Sequence, residues 1–461
     1  MTASTAPAPA VDAGTGAPAA HRVSLGRGYR FELVKLLAQW RVRVLIAVCW
    51  IGPALTVIVV SGQKNLPSDT LFGREMHATG WAGALVVLVF AGSWFFPLLT
   101  SLVAGDVFSS EDRLGTWRHL LVAVRSTRRI FAAKALASLT VLLICLPGLA
   151  VSGIVGGLVV GSRPLTGLDG HLLSPGTVAG RLLLAWLCVL APILAFAAIG
   201  LLASVIFGRS PIGLLLPAFG GLGMQLASQV LPMPVAVRLA LPSFAFLSWN
   251  GLFTSPPMLG PLITGVAVSL AWAVTATALA YVVFVRRDFT NLANDGSIRR
   301  AITFGILPLL GVWALSAGVV AAAAGATGSG IDAIKLQQSL ATSFAHIYPV
   351  QTLEVNHLHV TAAQLRAAAS CTKGGGLEAQ NGPGPDWRCT VTWHLPGVNN
   401  GAIGQAIYQL DVNANGRYVA DGDGPTEVNG YYVVHAAYGD APNPLWQFDG
   451  LVDLLSATSK G

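Results

Sequence analysis

The side chains of this 461-residue sequence whose types and spacing could do chemistry fall in four places. The densest is Asp106-Val-Phe108-Ser-Ser-Glu111-Asp-Arg113-Leu-Gly115-Thr116-Trp117, which continues through Arg125, Arg128 and Arg129 to Lys134. Ser109 or Ser110 can cap a short helix there, and Glu111 and Asp112 suit its positive N-terminal end. His357-x-His359 would put two imidazoles on one face of a strand, but a metal site needs further ligands and none stands nearby. Ordinary exposed histidines are the expectation, and no metal is assigned. Cys371 and Cys389 are the only cysteine pair in polar sequence. Ser93, Thr100, Gln225 and Ser228 are polar residues inside apolar runs and could line a solute path. For any single one, a hydrogen bond to its own helix backbone is the plainer expectation. Two absences complete the picture. No Gly-x-x-x-x-Gly-Lys-Ser/Thr occurs, so the chain does not itself cradle ATP phosphates, and no His-Glu-x-x-His occurs. No residue is assigned a catalytic role.

The elements that would position these residues are membrane helices. The chain is 53% apolar and 11% charged, with mean hydropathy +0.63, whereas soluble domains are nearer a quarter charged. The excess of Lys and Arg (28 against 21 acids) clusters beside apolar runs rather than forming a patch, which excludes a nucleic-acid partner. About 20 apolar residues cross a bilayer as a helix. Uncharged runs of that size or more are Val44–Gln63, Met76–Gly105, Ala135–Ser162, Leu182–Gly208, Ser210–Val237, Leu239–Val285 and Ala301–Ile331. The sixth is too long for one span. Pro242, Trp249, Asn250, Pro256 and Pro257 break its first half, whereas Leu262–Val285 reads as a clean span. Residues 239–259 are therefore either an eighth span or a re-entrant segment, and the basic residues decide. Seven spans put 17 of them, from Arg22 to Arg43, Arg113 to Lys134, Arg209, and Arg286 to Arg300, on the cytoplasmic side. Seven is the expected count.

The resulting layout is a disordered cytoplasmic leader at 1–23 and an amphipathic interfacial helix at 24–42. In the latter Leu33, Leu36, Leu37 and Trp40 recur at helical spacing, with Glu32, Lys35 and Arg41 among the polar positions. A six-span domain follows over 43–285, with its charged loop at 106–134 and its outer broken segment at 232–261. A basic linker at 286–300 leads to a seventh span at 301–327, and residues 328–461 form a small extracytoplasmic α+β domain. That tail carries six basic and eleven acidic residues, opposite in sign to the inner face. Its expected elements are a helix from Ile331 that turns Ile334, Leu340, Phe344 and Ile347 inward with Leu336 off the stripe, and a second helix at Thr361–Ala369. Strands are expected at Arg388–Leu395, Ala406–Val412 and Arg417–Ala420, the last two joined by the turn pair Asn415-Gly416, with a further strand at Tyr431–Ala437. Outside the cytoplasm a Cys371–Cys389 disulfide persists, closing a loop worth roughly 3 kcal/mol. The outer loop Ser162–Gly180 holds turn residues and no site signal.

The order of residues in the charged loop resembles the permeases of the type-2 family of ATP-binding-cassette exporters. Asp106, Phe108, Ser109, Glu111, Gly115, Thr116, Leu120, Leu121, Ser126, Arg128, Ile130 and Lys134 stand in the places of the family's first inner loop. Val124 stands where the family commonly has Pro. The resemblance covers roughly residues 25–285 and implies an all-α polytopic bundle, with residues 24–42 as its elbow helix. It also implies a coupling helix at Glu111 through Trp117 that docks on an ATPase subunit. Asp106, Phe108, Glu111, Arg113, Gly115, Thr116 and Trp117 would serve that docking. ATP and magnesium would bind the partner ATPase and no cofactor this chain, so the chain itself is not an enzyme. A second permease chain and membrane lipid are the other implied partners, in a plasma membrane crossed several times. The span centres carry essentially no Asp, Glu or Lys, which ion-coupled carriers normally need. The alternative is a membrane-anchored receptor or assembly protein that presents the tail domain. Whether the tail gates substrate or is a stabilising, partner-docking module stays open.

Overall fold

The computed structural model describes residues 24–63, 69–208, 211–231, 233–289, 297–324, 328–395, 402–436 and 439–456. The expected leader at 1–23, residues 290–296 of the linker and Arg209 lie outside the described residues. Helix α1 (Leu25–Ala38) is capped by Ser24, and after the extended Gln39 the chain turns into α2 (Trp40–Ser61). Two helices, α3 (Gly80–Phe90) and α4 (Phe96–Ala104), are joined by a π turn into one rod. Two short helices follow, α5 (Ser109–Leu114) and α6 (Trp117–Val124), and then the long α7 (Thr127–Val160) and α8 (Pro175–Phe207). Next come α9 (Ile212–Val230), the short α10 (Val235–Leu239) and α11 (Gly260–Val285), and then α12 (Ile298–Ala301) and α13 (Leu307–Ala324), joined by another π turn.

Among the described residues six helices are long and apolar enough to cross a membrane: Trp40–Ser61, Gly80–Ala104, Thr127–Val160, Pro175–Phe207, Gly260–Val285 and Ile298–Ala323. Their number, length and apolarity are those of a multi-pass membrane protein. The fifth expected run, Ser210–Val237, differs. Its helix α9 has 19 residues, about 28 Å at the usual rise, but Gln225, Gln229 and four glycines dilute its apolarity. The broken stretch after it holds no long helix. Beyond α10 it is a ten-residue 3₁₀ run, Phe244–Phe253, almost wholly buried, so residues 239–259 do not form an eighth spanning helix. Prolines 53, 147, 192 and 217 sit inside long helices, as helix-breakers do when neighbouring helices hold them.

Close helix contact relies on small residues. A Cβ on Gly80 would stand 1.6 Å from the carbonyl oxygen of Gly157, and Gly80 N–H donates to Gly161 O at 2.9 Å. The start of α3 and the end of α7 therefore meet backbone to backbone. Alongside, α2 packs along α7 and α11 along α8.

The tail is a second core. Helix α14 (Ala333–Asn356) lies across a five-stranded antiparallel sheet. Its strands, in order, are β3 (Ala368–Lys373), β4 (Gly384–His394), β5 (Ile403–Val412), β6 (Arg417–Gly422) and β9 (Gln447–Leu451); β1 (Leu165–Thr166) with β2 (Leu172–Leu173), and β7 (Val433–Ala436) with β8 (Gly439–Pro442), are separate ribbons. The expected strands are present, and Gly416 (φ +86°) makes the hairpin with Asn413 N–H donating to Arg417 O. Cys371 and Cys389 are directly opposed on β3 and β4 and disulfide-bonded.

Two details correct the sequence reading. Leu336 is fully buried and Ile334 is half exposed, because 336, 340 and 347 share one face at helical spacing and 334 lies well off it. The second helix stops at Leu365, since Arg366 takes a left-handed conformation and Ala368 already pairs in β3.

Candidate functional site

Alternating chain direction gives the bundle two ends. At the tail end, the loops after α2, α7 and α9 meet the sheet domain. Asp449 accepts from Arg74 at 2.7 Å and from Arg417 at 2.7 Å, and Arg417 also donates to Asp69 O at 2.9 Å. Buried Arg238 donates to Ala414 O at 2.7 Å and also to Ser329 O. The opposite end, here the base, is where the charged loop folds.

At the base the acids of residues 106–112 point inward. Glu111 and Lys134 are both fully buried, and Lys134 Nζ donates to Glu111 Oε1 at 2.7 Å and to Glu32 Oε2 at 2.9 Å. Lys35 and Thr116 complete the Glu111 carboxylate. Burial alone would raise the Glu111 carboxyl, but the Lys134 charge and the donors from Lys134, Lys35 and Thr116 outweigh it and hold the group down at about 2. Asp106 takes Arg41 and Arg113. Asp112 is held in a fork by Arg287, at 2.7 and 3.0 Å, and accepts from Trp117 Nε1 at 2.7 Å. Aromatic rings close the space. Phe108 lies 4.9 Å from Phe284 and 5.5 Å from Phe131, and Trp117 lies 5.4 Å from Phe284 with Lys134 over its face at 5.8 Å.

The local folding explains this arrangement. Neither Ser109 nor Ser110 caps α5; the start of the helix is buried, and Ser204 of α8 instead accepts from the N–H groups of Phe108 (3.1 Å) and Ser109 (2.9 Å). Gly115, at φ +68°, ends α5 so that Trp117 can turn back under it. Residues 111–117 thus run across two short helices and their turn rather than along one helix. Of the residues singled out, Asp106, Phe108, Glu111 and Trp117 are interior, Thr116 is half-buried, and Arg113 and Gly115 are exposed. The ridge that faces out is Arg113, Leu114, Arg118, His119 and Val122. From α1, Glu32 and Lys35 join the cluster, as does Arg41 at the start of α2, whereas Trp40 is 77% exposed and packs on none of them. Arg287, read as linker, is a buried partner.

At the tail end, Ser93, Gln225 and Ser228 line one cavity of about 180 Å³ with Ser243, Asn250 and the hairpin Asn413–Asn415. Thr100 does not reach it: fully buried, its hydroxyl donates to Pro97 O, the local bond expected for a lone polar residue. Ser228 makes the same kind of bond, to Gln225 O. Asn250 and Ser243 line this cavity, and Asn250 Oδ1 and Ser243 Oγ are buried with no protein partner. Asn250 was legible only as a helix breaker.

His357 ends α14 in a left-handed conformation, so the His357-x-His359 pair stands on no strand, and both are exposed. A different cluster was missed. Asp169 and His171, in the loop read as having no site signal, meet His346 of α14. Sequence alone offered little, since Asp169 and His346 are 177 positions apart. No protein-family model, curated protein or solved structure matches the chain.

Proposed function

We propose that this chain is the membrane-spanning permease subunit of an ATP-driven exporter of the type-2 ATP-binding-cassette family, with its base in the cytoplasm and its tail domain outside. The observation that carries this reading is the way the base loop is built. Its inward acids tie it to the interfacial helix α1 through Glu32 and Lys35, to α7 through Lys134 and to the foot of α11 through Arg287. Such a loop moves only with those helices. A push on its exposed ridge would be passed on as rotation of α1, α7 and α11, rather than dissipated in a hinge. A connector with no mechanical duty has no need of three fully buried ion pairs, Lys134–Glu111, Lys134–Glu32 and Arg287–Asp112, each of which costs desolvation.

In this mechanism a separate ATPase, holding ATP and magnesium, docks on Arg113, Leu114, Arg118, His119 and Val122. Closure of two ATPases on two permease chains rocks the bundles. The polar cavity at Ser93, Gln225 and Asn250, roofed by Asn413–Asn415, is the outer part of the solute path, and the tail domain covers its exit. The receptor reading is weakened by the polar ties that Arg74, Arg238 and Arg417 make between the tail and the bundle loops. A module merely displayed on a span would have no need of them.

The test is copurification of the full chain with a nucleotide-hydrolysing subunit. Leu114→Asp together with Val122→Asp changes only exposed side chains, so the chain is expected to keep its melting temperature and lose the ATPase. Absence of any ATPase from wild type, or solute transport by the purified chain on an ion gradient alone, would overturn the proposal.

A further inference from the structure

Where the loop between α7 and α8 meets the tail domain, three metal-ligating side chains converge. Asp169, His171 and His346 each offer one ligand atom within 4.8 Å of the others. The two imidazole rings are 3.6 Å apart, centroid to centroid. Zinc bonds of about 2.0–2.1 Å set tetrahedral donors about 3.3 Å from each other, so closing the longest separation by up to about 1.5 Å would bring the three onto one ion.

We propose that Asp169, His171 and His346 form a site for a divalent transition-metal ion of the zinc class, which staples the α7–α8 loop to helix α14 of the tail domain. Three features argue for a built site. First, His346 is oriented as a metal-binding histidine is. His346 Nδ1 lies 2.7 Å from the backbone carbonyl of Asp169, which can only accept, so Nδ1 carries the proton and Nε2 keeps its lone pair. His171 Nδ1 lies 2.8 Å from Asp169 Oδ2, near the separation of two donors on one ion, so these two atoms would share the cation in place of a proton.

Second, the backbone is shaped to bring the loop down on the helix. Gly170 adopts φ +77°, and a Cβ there would stand 2.6 Å from Ser343 O and 3.0 Å from the His346 Cβ. Asp169 is 8% exposed, and its carboxylate is held from behind by the Ser255 N–H at 2.7 Å.

Third, the site has an open side. The His171 side chain is 41% exposed, which gives an ion a way in and leaves room for water as fourth ligand. Two neutral imidazoles in contact gain little from each other, and two protonated ones repel. A shared cation resolves both. With one carboxylate and two imidazoles the donor set suits zinc rather than calcium or magnesium, which take oxygen.

The experiment uses the full chain in detergent, stripped with a chelator and titrated with zinc against a chromophoric competitor. Wild type is expected to bind one equivalent per chain, with a zinc-dependent rise in melting temperature. His171→Ala, a change at a partly exposed side chain, is expected to weaken binding by more than about tenfold and to abolish that rise. His346→Asn should do the same, while His357→Ala with His359→Ala leaves both readouts intact. Absence of stoichiometric binding in wild type, unchanged affinity in His171→Ala, or binding lost with His357 and His359 would each overturn the proposal.

Discussion

Lys134 and Glu111 lie 2.7 Å apart with about 1% of either side chain exposed, and the lysine reaches on to Glu32 on a different helix. One ammonium thus joins the interfacial helix, the base loop and the foot of α7. Because all three charges are withdrawn from water, losing one acid leaves the lysine to the other alone.

The first prediction concerns that loss. Glu111→Gln should destabilise the chain by about 1–3 kcal/mol, since it takes one of two buried carboxylates from Lys134, which keeps Glu32. The milder Lys35→Gln should cost less, since Lys35 is one-third exposed and Glu111 keeps Lys134. Melting in detergent, followed by tryptophan fluorescence, ranks the two. Equal losses would mean that Lys134 does not dominate the cluster.

A second prediction follows from two glutamates titrating in opposite senses at the two ends. Glu111 is held at about 2 against an ordinary 4.5, so its contribution is whole above pH 4.5 and is lost as the pH falls toward 2. Glu75 differs. Burial pushes it up to about 7, against the opposing hydrogen bond from Thr166 N–H and the nearby Arg74 charge. The folded state then holds a proton that the unfolded state has released, so stability from Glu75 is complete below pH 4.5 and falls as the pH rises to 7. Melting temperature against pH should decline across that interval in wild type. Glu75→Gln should flatten the decline and raise the melting temperature at pH 8.

These positions also mark where sequence reading succeeds and where it stops. Asn415-Gly416 was legible as a hairpin because turn chemistry is local, and the strands at 388–395 and 406–412 because alternation is local. The ion pairs were half legible. Acids and bases interleave in residues 106–134, but nothing there tells that Asp112 pairs with Arg287, 175 positions on. Ser204 looked like one small residue of an apolar helix, and its duty as cap to α5 exists only after folding. Burial was least legible, since Glu111 and Trp117 read as surface until α5 turned them under.

A third prediction tests the closest helix contact. Gly157→Val would place Cβ 2.1 Å from the Gly80 carbonyl oxygen, where only backbone could yield. It should cost at least about 1–3 kcal/mol, the range for overpacking. Gly220→Ala, in α9, meets no atom within 4 Å and should be neutral or slightly stabilising. Urea or thermal unfolding of the pair checks the contrast.

The fourth concerns the disulfide. Cys371 and Cys389 are separated by 18 positions, so the bond closes a short loop and should contribute about 3 kcal/mol to the tail. Cys371→Ser with Cys389→Ser should raise protease sensitivity in the tail and leave the bundle intact. Cleavage that begins instead in the bundle loops would show the two cores to be one cooperative unit.

The last prediction sets stability against function in the polar cavity. Asn250 lines the cavity and is 3% exposed, and its Oδ1 is buried with no protein partner. A buried acceptor left without a donor costs about 1–3 kcal/mol. Asn250→Leu removes that cost at similar volume and should stabilise the chain or leave it unchanged. If the cavity is the outer part of a solute path, as proposed, the same change takes away a group that would hold a polar solute there. Reconstituted with its ATPase, the variant should then fold normally and lose substrate-stimulated ATP hydrolysis. Gln225→Leu, on the half-buried opposite wall, should act in the same direction. Thr100→Val, which removes a hydroxyl satisfied by Pro97 and outside the cavity, should not. A variant at 250 that unfolds would show that Asn250 is structural, and one that hydrolyses ATP like wild type would remove this cavity from the path.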